Sequence, residues 1–358
     1  MVDVVAREDG DSLQPTHIND LPPEVLVNVF LYLTRQISCR AWLGVTHLCR
    51  YWWITALGSG ALWSNILEDT PSVEAWLKRS NNHPLTIRLD LESQKSLPTL
   101  RITLRELPRI RQLHLTLTPS LWTAVSSYLK DPAPILESLL VERSAPDRHD
   151  TGLIVDFVLS IEHFAGTTPS LRTATFVTCA LDLGSPIFHG LTSLTIKDPH
   201  DEPSPEDVLE ALRLMPNLES LTLDFDWGWY EEDDDDDDPE PSSIVALPKL
   251  AEFTSDACLY GQMYLLSRLK FINTTTLILK SNTPNIRSVA DTICRIVRAY
   301  DNARGGPVIP VRKLKFSRTT QILVNYSSKS IEESRDGISF STSLCGTTTL
   351  TKTRRTVR

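Results

Sequence analysis

The sequence predicts an α/β protein. A short N-terminal module of three helices leads into a long array of strand-plus-helix units, an irregular solenoid with parallel strands. Three observations predict it. Residues 17–66 carry two stripes of large apolar side chains at spacings of three and four, the period of a helix. From Ile110 onward a short theme, apolar-x-x-apolar-x-apolar, returns along the rest of the chain. Between its recurrences lie segments with helical periodicity.

The first helix starts at Pro22 and Pro23, where a missing N–H costs nothing and a fixed φ helps. Glu24 complements the positive end of the helix dipole. Val25, Leu26, Val29, Phe30 and Leu33 follow on one apolar face. A second stripe runs through Trp42, Val45, Cys49, Trp52 and Ala56 and stops at Gly58, Ser59 and Gly60. Trp63, beyond that break, is placed to fold back onto both helices. About fifty residues bury only a modest share of their surface. The face of Leu21, Leu26, Phe30 and Leu33 is therefore expected to stay open, as an interface does. The competing reading is an ordinary helical subdomain packed on the rest of the chain.

Beyond this module, Val73–Ser80 reads as a short amphipathic helix, and residues 84–89 alternate as a strand does. The theme then appears at Ile110/Leu113/Leu115, Leu136/Leu139/Val141, Leu171/Ala174/Phe176, Leu191/Leu194/Ile196 and Leu218/Leu221/Leu223. It is weaker at Leu250/Phe253 and continues at Thr274/Leu277/Leu279 and Val311/Leu314/Phe316. The units are 20 to 37 residues apart, and Pro108, Pro134, Pro169, Pro216 and Pro248 often precede the first apolar position. Helices are expected over 119–130, 153–164, 205–215 and 286–300. No such unit covers its own apolar face, so neighbours must stack and share a core. A two-layer α/β domain without repeat symmetry is the alternative.

Composition narrows the function. The apolar fraction of 41% allows a sizeable core, and no apolar run is long enough to cross a membrane. Cys39, Cys49, Cys179, Cys258, Cys294 and Cys345 form no tight framework, which fits reduced thiols and an intracellular chain, cytoplasmic or nuclear. The N-terminus is acidic and has no apolar stretch of signal-peptide length. The sequons at Asn273 and Asn325 then carry no weight. Much of the net charge of −9 comes from one run, Glu231 to Asp238, while Lys352, Arg354, Arg355 and Arg358 make the C-terminus basic. No broad basic face points to nucleic acid. The acidic run reads as a solvated loop, with an electrostatic lure for a basic target as the functional alternative. Trp227, Trp229 and Tyr230 beside it are aromatic groups of the kind found in binding hot spots. No nucleophile elbow, phosphate loop, zinc-helix motif or dinucleotide fingerprint occurs. His47 and Cys49 lack a second metal-ligating pair, and Asp156 and His163 read as a surface pair on one helix.

The order Leu21-Pro22-Pro23-Glu24-Val25-Leu26, Val29-Phe30, Leu33, Leu48-Cys49-Arg50 with Trp52, then Leu62-Trp63 resembles an F-box. The link after Leu33 lacks the family's usual Asp. The strand units resemble degenerate leucine-rich repeats without the regular Asn. Together they resemble the F-box proteins of mushroom-forming fungi, an impression strengthened by the segment from Trp76 to Leu89. The resemblance implies domains at 16–66 (F-box) and 67–350 (repeats, with an acidic loop at 231–241), between tails at 1–15 and 351–358. It also implies a partner, a Skp-family adaptor, and through it a cullin. By motif position its binding residues are Leu21, Pro22, Leu26, Phe30, Leu33, Val45, Cys49, Trp52 and Trp63. The repeats would receive an unknown protein substrate. The expected function is thus the non-catalytic substrate-recognition subunit of an SCF-type ubiquitin ligase, with no cofactor, metal, nucleic acid or membrane involved. An F-box interaction protein acting outside a ligase is the alternative, and an enzyme of unknown class the third possibility.

Overall fold

The fold is that of a computed structural model, which describes residues 20–91, 97–144, 158–225, 244–257, 259–271, 276–280, 314–316, 321–324, 341–342 and 348–349. The chain forms two compact units, Met1–Leu85 and Thr86–Arg358. Among the described residues, eight α-helices and a mostly parallel central sheet make it a mixed α/β protein. No helix among the described residues is long and apolar enough to cross a membrane.

The first unit holds α1 (Pro23–Leu33), α2 (Cys39–Thr46), α3 (Arg50–Gly58), a short 3-10 turn (Gly60–Trp63), β1 (Asn65–Leu67) and α4 (Val73–Ser80). Each start has a local cause. Pro23 opens α1 with Glu24 in its first turn. Ser38 caps α2 by accepting the Ala41 N–H. The apolar stripe expected through Trp42 and Ala56 is broken at Leu48 and Cys49. The Cys49 side chain instead accepts the Trp52 N–H and caps α3. The centre of the unit is aromatic. Trp42, Trp63 and Trp76 pack against one another with centroids 4.9 to 6.1 Å apart. The buried Trp63 Nε1–H donates to the Ala56 carbonyl at 2.8 Å. Phe30 meets Trp52 edge-on at 5.4 Å, and the Arg79 guanidinium stacks over Trp63 at 4.5 Å. Trp76 and Arg79 belong to α4, so this compact unit runs to Leu85, past residue 66. A Cβ on Gly60 would stand 2.9 Å from the Ser80 carbonyl oxygen and collide with the His83 ring, so only glycine fits there.

The second unit is organised by its sheet. The strands are β2 (Leu85–Leu91, entering from the last residue of the first unit), β3 (Ile110–Leu117), β4 (Ser138–Arg143), β6 (Thr173–Val177) and β8 (Ser193–Lys197). They continue as β9 (Ser220–Asp224), β11 (Glu252–Asp256), β13 (Thr276–Lys280), β14 (Leu314–Phe316) and β15 (Gln321–Val324). Their spatial order is β2-β3-β4-β6-β8-β9-β11-β13-β15-β14. All pairs from β3 to β13 are parallel. Short strands off this sheet, β5 (Val158–Leu159) with β7 (Ala180–Leu181) and β10 (Val245–Leu247) with β12 (Leu269–Phe271), also pair in parallel. Two further strands, β16 (Ser341–Thr342) and β17 (Thr348–Thr349), pair antiparallel.

The recurring motif is the register of the sheet. Leu113, Leu139, Ala174, Leu194, Leu221, Phe253 and Leu277 form one cross-strand row. Leu115, Val141, Phe176, Ile196, Leu223, Ser255 and Leu279 form the next row on the same face. From β3 to β11 every member of both rows is buried. The first apolar residue of each unit closes a turn. Leu136, Leu171, Leu218 and Leu250 donate their N–H to the carbonyl three residues back, at Ala133, Thr168, Met215 and Leu247. Pro134, Pro169, Pro216 and Pro248 thus occupy the second position of a β-turn, where the ring's fixed φ is already correct. Leu191 closes the same turn on Phe188 without a proline.

Helices α5 (Leu97–Leu104), α6 (Pro119–Tyr128), α7 (Pro205–Arg213) and α8 (Leu259–Arg268) lie between strands. In α7 the Ser204–Asp207 capping box sets the start, and Val208, Leu209, Ala211 and Leu212 are buried. Helix α5 packs beside α6, and α7 beside α8 and β10.

Three expectations need correction. The helix expected over 153–164 is absent from the described part of that range, where β5 is followed by a 3-10 turn at His163–Gly166. Val158 and Leu159 pair with Ala180 and Leu181, and pairing outweighs a weak helical period. The unit at Val311/Leu314/Phe316 does not extend the parallel array. Its strand β14 pairs antiparallel with β15, which in turn pairs antiparallel with β13. Four residues separate β14 from β15, and a parallel crossover needs roughly a dozen. Leu26 and Phe30 do not stay open, since the first unit's own core covers both completely. The expected helix at 286–300, the acidic run, its neighbouring aromatics and both tails lie outside the described residues.

Candidate protein-binding surfaces

Helix α1 presents two apolar stripes, not one. Leu26 and Phe30 point into the unit, and Phe30 meets Trp52. Val25, Val29 and Tyr32, also at helical spacing, face outward, with Tyr32 65% exposed. Helix α3 repeats this division. Trp52 and Ala56 are buried, while Ile54 and Leu57 are exposed, and Leu48 just before the helix is 71% exposed. Helices α1 and α3 pack together, and the Tyr51 hydroxyl ties their starts by donating to the Leu21 carbonyl at 2.7 Å. The outward stripes therefore sit on two helices fixed relative to each other.

The residues singled out by motif fall into two groups. Leu26, Phe30, Trp52 and Trp63 are buried and build the core that holds the helices. Pro22 is exposed, and Leu21, Leu33, Val45 and Cys49 are half-buried, so these reach the surface. Tyr32, Leu48, Ile54 and Leu57 were not singled out. In the sequence Tyr32, Leu48 and Leu57 each adjoin a residue of the stripes read there, and Ile54 lies midway between Trp52 and Ala56. The thiol of Cys49 acts as a cap and approaches the Trp52 N–H at 3.5 Å. The other two described cysteines are inert packing groups. Burial, reinforced by Asp69, pushes the Cys39 thiol up to about 11, and burial pushes the Cys179 thiol up to about 12.

The second surface is the other face of the sheet. Parallel sheets are ordinarily covered on both faces. Here the residues that alternate with the buried rows are half-exposed. Thr175, Thr195, Thr222 and Thr254 form one outward row, and Ser138, Thr173, Ser193 and Ser220 a second. At the carboxyl ends of the strands Lys197, Asp224, Asp256 and Lys280 stand in register. The face is thus lined largely by hydroxyls, with Glu142, Lys197, Asp224 and Asp256 along its border.

No catalytic arrangement emerges at His163. It lies in the 3-10 turn and is buried. Its Nδ1 accepts the Ser160 N–H at 3.1 Å, which leaves the proton on Nε2, 3.0 Å from Ser126 Oγ. In that tautomer the imidazole donates to the serine. Asp156 lies outside the described residues. Among the described residues no cluster of His, Cys, Asp and Glu has a metal-holding arrangement.

No family model matches the chain, and no curated protein matches it.

Proposed function

We propose that this chain is a non-catalytic adaptor, the substrate-recognition subunit of an SCF-type ubiquitin ligase. One observation carries the reading. In a unit whose core is well filled by Leu26, Phe30, Trp42, Trp52, Trp63 and Trp76, large apolar side chains on α1 and α3 are nevertheless left in water. Exposed apolar groups gathered on fixed helices mark an interface. The motif order from Leu21 to Trp63, which resembles an F-box, supports a Skp-family adaptor as the partner. Leu21, Pro22, Leu33, Val45 and Cys49 reach the surface and belong to the docking face with Val25, Val29, Tyr32, Leu48, Ile54 and Leu57. Leu26, Phe30, Trp52 and Trp63 serve that face from beneath by holding the helices. The open sheet face, presented by strands that resemble degenerate leucine-rich repeats, is the receptor for a target protein. Such a subunit performs no bond chemistry. It raises the effective concentration of a target lysine near the ubiquitin-carrying enzyme.

The test is calorimetry of the full chain with a purified Skp-family adaptor. The native chain binds, and changing Leu21 and Pro22 together to Ala weakens binding by about 2–4 kcal/mol, the size expected for one or two anchors. No heat of binding from a folded native chain rejects the partner. Co-purification of a cullin then separates a ligase subunit from an interaction protein acting alone.

A further inference from the structure

We propose that the turn Ser160–Gly166 is a pH-operated latch on the end of α6, closed while the His163 imidazole is neutral and released when it takes up a proton. The latch does a definite job. A helix leaves its last carbonyls without intrahelical partners. Just past α6, the carbonyl of its capping residue Leu129 accepts the Phe164 N–H at 2.6 Å, and that of the next residue, Lys130, accepts the Ala165 N–H at 3.0 Å. To deliver these donors the turn adopts a conformation that L side chains avoid. Phe164 and Ala165 both have φ of 54°, and Gly166 follows at 72°. Such a backbone persists only where its surroundings hold it. Phe164 is fully buried and supplies part of the hold.

His163 supplies the rest. Its Nε2–H donates to Ser126 Oγ on α6, and its Nδ1 accepts from the Ser160 N–H. The ring thereby ties the start of the turn, through Ser160, to Ser126 on the helix, but only with one proton. A second proton turns Nδ1 into a donor and sets it against the Ser160 N–H. The acceptors within reach of that nitrogen are the Ser160 carbonyl at 3.2 Å and the Ser160 hydroxyl at 3.4 Å, and a ring that donates to either has lost the N–H it held. The surroundings keep the ring neutral at ordinary pH. Burial lowers its pKa most, the Ser160 backbone and Glu162 raise it, and Lys130 at the end of α6 lowers it. Glu162 and Lys130 pair with each other at 3.1 Å on the surface, so their effects oppose. Trp122 and Ser126 from α6, and Pro186–Phe188 packed on the turn, carry no charge.

Residue-resolved hydrogen exchange on the full chain, corrected for intrinsic rates, tests this between pH 7.5 and 5.5. Protection of the Phe164 and Ala165 amides is expected to fall by up to about tenfold for each pH unit between 6.5 and the ring's lower folded pKa. Amides of β6 and β8 should keep theirs. In His163→Gln, whose amide both donates and accepts without titrating, the pH dependence should vanish. Equal protection of the turn at both pH values overturns the latch. So does a fall shared equally by β6 and β8, or one that persists in the glutamine variant. If that variant does not fold, NMR titration of the native chain decides. The His163 ring and the two amides must share a midpoint, and different midpoints overturn the proposal.

Discussion

The two units treat apolar side chains in opposite ways. In the sheet, the motif residues from Ile110 to Phe253 are hidden, and the outward rows are mostly threonine and serine. In the helical unit the core is as dry, yet of the nine large apolar side chains exposed among the described residues, six lie on α1, before α3 or on α3. Helix geometry explains the difference. A strand in a sheet has two faces at a period of two, so one polar row is enough to make its outside polar. A short helix carries its apolar residues on more than half its circumference, and a unit of this size has too little chain to cover both stripes. The lesson is that the same apolar composition stabilises one unit and advertises the other.

The sharpest way to break that comparison is to cut the two kinds of apolar residue. Trp63→Ala removes the hub of the aromatic cluster and a buried hydrogen bond, and should cost about 3–5 kcal/mol in denaturant unfolding. Leu221→Ala, in the middle of the buried row, should cost about 2–5 kcal/mol. Ile54→Ala and Leu48→Ala should change stability by no more than about 0.5 kcal/mol while weakening the proposed complex with a Skp-family adaptor. A large loss of stability at Ile54 would show that the outward stripe is core after all.

Smaller effects sharpen the picture. Gly60→Ala forces a Cβ against the Ser80 carbonyl and His83 and should destabilise the first unit by about 1–3 kcal/mol, read as a shift of the urea midpoint at constant slope. The pH profile has a definite sign. His163 has a depressed folded pKa against an unfolded value of 6.5, so its contribution is full above 6.5. It is lost as pH falls from 6.5 through the lower folded value, because the unfolded chain takes up the proton first. The stability difference between the native chain and His163→Gln should therefore shrink between pH 7.5 and 5, as unfolding curves at several pH values will reveal. The smallest effect is chemical. Folded Cys39 and Cys179 should resist alkylation at pH 8, since burial disfavours both thiolates, and mass spectrometry of the alkylated chain measures this.

Much of the sheet was legible because its signal is periodic and repeated. Leucines three and two apart recur after a proline, and they align row by row in the sheet. The departures have local causes. Leu250/Phe253 is a weak motif because its last position is Ser255, buried beneath Gln262, whose Nε2 donates to the Ser255 carbonyl at 3.4 Å. Helices α5 and α8 went unread because neither has a strong apolar stripe bounded by clear caps. The outward stripes were half legible. Motif order drew attention to α1 and α3, but apolar residues on both stripes look alike until packing chooses between them.

What the sequence determined by itself is therefore the local grammar: prolines at turn and helix starts, serine caps at Ser38, Ser72 and Ser204, and the spacing that puts the strand rows in one core. These depend on neighbours in the chain, and the chain supplies them. Tertiary structure alone decided that Trp76 and Arg79 complete the aromatic centre of the helical unit, and that Phe30 goes in while Tyr32 stays out. It alone set β15, and not β14, beside β13. Those outcomes rest on which distant surfaces meet, and free energy from packing is shared among residues that no local pattern connects.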